Sequence, residues 1–156
     1  MSVSLYGSGN TVIQVQSTTL NTTFSTTAAS FTDLTGLTVS ITPQSTTSKI
    51  LIFFTSYMSS SSSSGVTVYN LVRDSTNICP PSNTGLTFSG SFGCYIGFAD
   101  NIFPFSGSFL DAPVTTSPIT YKLQLKTNVG TVYINRRVTA DANVTSTITA
   151  MEIAYS

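Results

Sequence analysis

The sequence is short of the residues on which most enzyme sites and charged interfaces depend. It has no histidine, no tryptophan and two cysteines, and only 8% of its 156 residues are charged, against about 25% in an average domain. The lack of histidine excludes Ser-His-Asp and Cys-His catalysis and every histidine-ligated metal site. The net charge is zero, so we expect no binding of nucleic acid or of an anionic membrane surface.

Cysteine, apolar runs and targeting signals are equally scarce. Cys79 and Cys94 are too few to define a disulfide framework, and unpaired, partly buried thiols are favoured over a bridge. No apolar run approaches the roughly 18 residues of a membrane-spanning helix. The first residues lack the basic start and apolar centre of a secretory signal. We therefore expect no membrane insertion.

Serine and threonine are abundant instead and make up about a third of the chain. Threonine is polar and β-branched, so this composition favours strands with hydroxyl-covered surfaces and offers few helix formers. Many short apolar stretches are separated by Gly, Pro, Asn and Asp, which indicates an all-β, jelly-roll-like antiparallel β-sandwich. We predict a short N-terminal arm and first strand over residues 1–16 and one sandwich domain over residues 17–156.

The stretch from residue 34 to residue 54 gives the strongest strand signal. Leu37, Val39 and Ile41 alternate with polar residues and Pro43 ends the strand. The apolar run 50–54 follows after a short polar loop, so the pattern predicts a hairpin between an edge strand and a central strand. The serine tract 59–65 has no side chain to bury and is predicted to be an exposed loop.

The acidic residues offer little prospect of catalysis. The six of them are well separated in sequence and lie at predicted turns or strand ends, where they usually cap the backbone; they are Asp33, Asp74, Asp100, Asp111, Asp141 and Glu152. Two of them would have to meet in space to form a glycosidase pair. No phosphate-binding glycine motif and no CxxC motif is present. We expect no enzyme activity, no catalytic residue, no cofactor and no metal.

Residues 86–109 place seven aromatic side chains among glycines. One interpretation is a pair of core strands filled by aromatic rings. The other is a contact between subunits, because aromatic residues are enriched at interface cores. The candidate interface residues combine this stretch with the apolar residues of the first strand: Val12, Ile13, Val15, Phe92, Tyr95, Phe98, Phe103 and Phe105.

A family resemblance lies in the order of six blocks that cover most of residues 11–155. The blocks are TVIQVQ (11–16), FTDLTGLTVSITPQSTTSKILI (31–52), LVRDSTNI (71–78), FLDAPVTTSPITYKLQL (109–125), GTVYINR (130–136) and STITAMEIA (146–154). This series resembles a β-module of tailed-bacteriophage virion surfaces, found at tail-fibre ends and as short stand-alone proteins. Members of that group are similar to the trimeric tumour-necrosis-factor-like jelly roll. The resemblance therefore implies a homotrimer, and it implies no catalytic residues.

Two functions fit that context. A capsid decoration protein, or cement protein, binds the outer surface of the head and stabilises it, whereas a tail-fibre tip binds a receptor on the host cell. The chain has a short arm and no coiled-coil, collagen-like or repeated shaft, which favours decoration. The expected partners are then two further copies of this chain and the major capsid protein, with a host surface receptor under the alternative. The expected location is the virion surface, after synthesis in the bacterial cytoplasm.

Overall fold

The computed structural model describes residues 11–82, 85–86 and 88–154, and within these ranges it contains strands and connections but no helix. Most of the predicted arm, residues 1–10, lies outside the described residues. The eleven strands are β1 (Thr11–Leu20), β2 (Phe24–Thr26), β3 (Thr32–Ile41), β4 (Lys49–Ser60), β5 (Gly65–Arg73), β6 (Thr76–Asn77), β7 (Phe92–Ile96), β8 (Phe103–Asp111), β9 (Ile119–Thr127), β10 (Val132–Ile134) and β11 (Ser146–Ala154).

The strands form two antiparallel sheets. In the first sheet, β1 pairs with β11, β11 pairs with β4, and β8 pairs with the other side of β4. The short strands β2 and β10 extend this sheet, since β10 pairs with the last residues of β4 and β2 pairs with β10. In the second sheet, β3 pairs with β9 and β9 with β5, and β6 and β7 both pair with the far side of β5.

The strand order is that of a jelly roll. When the eight strands of five or more residues are counted along the chain, the first sheet has the order first, eighth, third, sixth. The second sheet has the order second, seventh, fourth, fifth. A sandwich of eight strands wound in this way is a jelly roll. The all-β sandwich expected from the sequence is therefore confirmed.

The predicted hairpin between β3 and β4 is wrong, although both strands exist. β3 is an edge strand of the second sheet and β4 is a central strand of the first, so the loop over residues 42–48 crosses from one sheet to the other. The two apolar faces meet across the core instead of side by side. Alternation identifies which face of a strand is buried, but it does not identify the neighbouring strand.

The core lies between the sheets and is aromatic toward the β7–β8 edge of the sandwich. Phe54 on β4 contacts Tyr69 on β5 and packs edge-to-face on Phe92, with 5.4 Å between the ring centroids. Tyr69 stacks on Phe105 of β8 at 4.8 Å. These rings pack between the two sheets at an edge where no further strand covers β7 and β8.

Buried carboxylate groups lie at one end of the sandwich. Glu152 lies within β11, not at a turn or strand end as predicted. Its carboxylate accepts hydrogen bonds from the Gln14 side chain and from the backbone N–H of Gln44, the latter at 2.7 Å. Burial alone would raise the pKa of this carboxyl group, but these hydrogen bonds hold it below the usual range. At the same end, the Asp111 carboxylate accepts hydrogen bonds from Arg73 and from the Tyr121 hydroxyl.

The start of β1 and the serine tract lie at opposite ends of the sandwich. Thr11 is opposite Ala154 beside the first residue of β4, whereas the tract follows the last residue of that 12-residue strand. We call these the base and the serine end, and β4 separates them by about 40 Å at 3.3 Å per residue. The prediction of an exposed serine loop is wrong for Ser59 and Ser60, which are buried at the end of β4, and for Gly65, which is buried at the start of β5. It holds for the turn over residues 61–64, whose side chains are exposed or partly exposed.

Two smaller sequence predictions concern the cysteines and the domain division. Cys79 and Cys94 are both half-buried and unbonded to each other, which confirms the prediction of free thiols. β1 continues from Thr11 to Leu20 without a break in its strand assignment, so the division placed after residue 16 falls within one strand. That division remains a prediction.

Candidate association surfaces

The outer faces of the two sheets differ in charge. Along the described strands of the first sheet, Lys49 is the only charged residue that faces outward, because Asp111 and Glu152 point into the sandwich. The outer face of the second sheet carries Lys122, which binds Asp33 at 2.8 Å, and Lys126. The first sheet therefore has the surface with fewer groups that require water.

An apolar row crosses the outer face of the first sheet from edge to edge. The pairing register places Val15 of β1 opposite Met151 of β11, Met151 opposite Leu51 of β4, and Leu51 opposite Leu110 of β8. We call these four residues the apolar row. Its ends are on edge strands and are exposed, Val15 at 49% and Leu110 at 51%, and three strand spacings make it about 14 Å wide.

The next rows toward the serine end are made of hydroxyl groups around one aromatic ring. Ser17 is opposite Thr149, Thr149 is opposite Phe53, and Phe53 is opposite Ser108. The Ser17 and Thr149 hydroxyls are 2.9 Å apart and hydrogen-bond to each other. Hydroxyl pairs of this kind satisfy polar groups without adding charge, so the whole face stays compatible with burial against another protein surface.

The candidate residues of β1 lie on an exposed edge strand. A bulge between Val12 and Gln14 shifts the register, after which Gln14 points toward Glu152 and Val15 faces outward. Val12, Ile13 and Val15 all remain exposed. β1 is an edge strand of ten residues, and an edge strand with exposed apolar side chains offers unpaired backbone groups to other chains.

An aromatic pocket of about 440 Å³ opens on the opposite edge of the sandwich, toward the serine end. Its walls come from β4, β7, β8 and the connection between β7 and β8; the lining residues are Met58, Cys94, Tyr95, Ile96, Gly97, Phe98, Phe103, Pro104 and Phe105. Tyr95 and Phe98 on the rim are 67% exposed. No charged side chain lines the pocket, so an uncharged, apolar or aromatic group fits it best.

Two sulfur atoms form part of the pocket wall. The Cys94 thiol lies 3.7 Å from the Met58 sulfur, which also accepts a hydrogen bond from the Tyr69 hydroxyl at 3.1 Å. Burial raises the pKa of Cys94 to about 11. The thiol is therefore protonated at neutral pH and a poor nucleophile, and its contribution to the pocket is that of a small apolar side chain.

The eight candidate interface residues thus divide into two groups on opposite edges. Val12, Ile13 and Val15 are on the β1 edge, and four aromatic residues line the pocket. Phe92 does not line it and packs on the core beside Phe54. Whether any of the eight contacts another chain remains a prediction.

Sequence reasoning missed Met151, Leu51, Leu110 and Met58. Met151 and Leu51 occupy outward positions of strands whose inner faces are buried, and the alternation of the strand pattern was the available signal. Only the pairing registers show that apolar residues of four strands lie at one level of the sheet. A single sequence does not give these registers.

The remaining acidic groups are engaged in local bonds. Asp100 accepts hydrogen bonds from the Thr139 backbone N–H and pairs with Arg137 at 2.7 Å, and these contacts lower its pKa. Arg137 also pairs with Asp141 at 2.9 Å.

Among the described residues, no three His, Cys, Asp or Glu side chains are grouped so as to hold a metal ion. The described residues also include no helix with the length and apolar character needed to cross a membrane.

Comparison with known proteins gives distant structural likeness alone. No protein-family model and no curated protein matches the chain. Among solved structures, a chain in the structure of infectious bursal disease virus, Gx strain, is similar at 15% sequence identity and a TM-score of 0.40. The match covers 91% of this chain and 40% of that chain, so this chain spans less than half the length of its viral neighbour. The fold described above rests on the strand order alone.

Proposed function

We propose that this chain is a virion structural protein that assembles as a homotrimer and decorates the outer surface of a bacteriophage capsid. The observation that carries the proposal is the outer face of the first sheet, whose described strands have one outward-facing charged residue and an apolar row with both ends exposed. Burial of such a face between copies removes apolar surface from water at little electrostatic cost. The sequence resemblance to virion-surface modules supplies the phage context.

The base is the part we expect to contact the capsid. Val12 lies there at the start of β1, and Val114 lies in the connection from β8 to β9 at the same end. Val114 is exposed and has a φ of 52°, a backbone conformation that β-branched residues rarely adopt. An apolar side chain held in this way is suited to contact with a partner. The hydroxyl-rich serine end would then face outward.

Cryo-electron microscopy of the intact virion tests the proposal. We expect trimers on the outer surface of the head, with the base toward the capsid. In a binding assay with capsids that lack the protein, V114D should reduce occupancy by about tenfold or more, because burying an unpaired carboxylate is costly. S63D, at the serine end, is the matched control and should bind normally.

Other locations would contradict the decoration proposal. Trimers found on the tail would favour the second candidate, a receptor-binding tip of a tail fibre. The observation that favours this alternative is the aromatic pocket, whose exposed rim residues Tyr95 and Phe98 lie toward the end of the molecule opposite the start of β1. We propose no enzymatic activity under either alternative, because each acidic group is engaged in local structural contacts.

A further inference from the structure

We propose that the trimer closes head to tail through the two ends of the apolar row, with Val15 of one copy against Leu110 of the next. The inference rests on the proposed homotrimer and specifies how its copies meet. The two residues lie on different edge strands, β1 and β8, of the same four-strand path. Both side chains are about half exposed, whereas Met151 and Leu51 between them in the row are partly covered.

A three-fold ring requires two different contact patches on each copy. In a ring of three, each copy meets one neighbour with one surface and the other neighbour with another, whereas a two-fold contact pairs a patch with itself. The apolar row supplies two such patches at opposite edges of one sheet. A three-fold axis that runs along the strands keeps every row at the same level, so the three rows join end to end into a closed apolar belt.

A second copy of this chain is the occupant that the surrounding surface favours. The row lies between the Val12, Ile153 and Lys49 positions on one side and the hydroxyl row on the other. A strongly charged partner would find one lysine to bind, whereas another copy brings a matching apolar end and matching hydroxyl groups. The aromatic pocket lies on the same β8 edge as Leu110, five residues nearer the serine end at Phe105.

Opposite charges introduced at Val15 and Leu110 test the contact. V15K and L110E each place an unpaired charge in the belt, so each trimer should dissociate at concentrations about 100-fold higher than wild type. The double variant V15K/L110E should recover to within about tenfold of wild type, because the head-to-tail contact brings each new lysine to a new glutamate. Val129→Lys and Leu86→Glu, at exposed positions elsewhere, should remain trimeric.

Circular dichroism of every variant establishes that the fold is retained, and a cysteine cross-link gives an independent readout. V15C/L110C should form disulfide-linked trimers on oxidation, while V15C alone and L110C alone should stay unlinked.

If the double variant dissociates as readily as the single variants, or if V15C links to itself, the head-to-tail contact is wrong while a trimeric wild type still supports the proposed function. A wild-type monomer would overturn both.

Discussion

At the scale of single residues, hydroxyl groups supply the polar surface that charged side chains supply in most proteins. The Thr55 and Ser106 hydroxyls pair at 2.9 Å across β4 and β8, as Ser17 and Thr149 do across β1 and β11. Such neutral pairs satisfy polar groups on a face that is otherwise ready for burial. The composition therefore predicted the polar character of the surface, while the positions of the pairs depend on strand register.

Glu152 is the clearest exception, since it is a buried carboxylate held by hydrogen bonds. Its pKa is lowered in the folded protein, so its contribution to stability is present above the pKa of the unfolded chain, about 4.3, and is lost as the pH falls through the folded pKa. We expect the free energy of unfolding of the wild type to decrease below about pH 4.5.

E152Q isolates that contribution. At pH 7 the substitution should lower the free energy of unfolding by about 1–3 kcal/mol, because backbone N–H groups lose a charged acceptor. The difference between E152Q and wild type should shrink toward pH 3, where the wild-type carboxylate is increasingly protonated. Urea denaturation at both pH values measures this difference, and a difference that is independent of pH would show that the carboxylate is not the stabilising group.

At the scale of elements, the sequence predicted strands and their buried faces better than it predicted their partners. The alternation in β9 and the alternating half of β3 match the observed burial. The pairing of β3 with β4 was wrong because a loop of several residues is compatible with a hairpin and with a crossover between sheets alike. The aromatic stretch was recognised, yet its division into core residues such as Phe92 and pocket residues such as Phe98 depends on the position of β7.

Gly107 on β8 illustrates a requirement that only the paired strands reveal. It is opposite Phe54, and a Cβ atom at this position would lie 2.7 Å from the Phe54 ring and 3.1 Å from Phe92. Gly107→Ala should therefore lower the free energy of unfolding by about 1–3 kcal/mol through overpacking.

Gly97→Ala is the matched control for Gly107→Ala, since the nearest atom to its Cβ is 3.9 Å away on Tyr95. Its effect on thermal or chemical denaturation should be within about 0.5 kcal/mol. Equal losses from the two substitutions would mean that Phe54 is not packed against β8 as described.

At the scale of the whole molecule, the distribution of charge and apolar surface is the main feature. The first sheet presents an almost uncharged outer face with the apolar row at the base, and the second sheet presents Asp33, Lys122 and Lys126. The composition predicted a surface with few charges, but the sequence did not show that the strands of one sheet would carry a single outward-facing charge. That asymmetry is the basis for the proposed homotrimer.

The mass of the purified chain in solution tests this account most directly. Size-exclusion chromatography with light scattering at micromolar concentration should give about three times the chain mass of 16.5 kDa, because burial of the outer face of the first sheet favours association. A protein that stays folded and monomeric under these conditions would contradict the account.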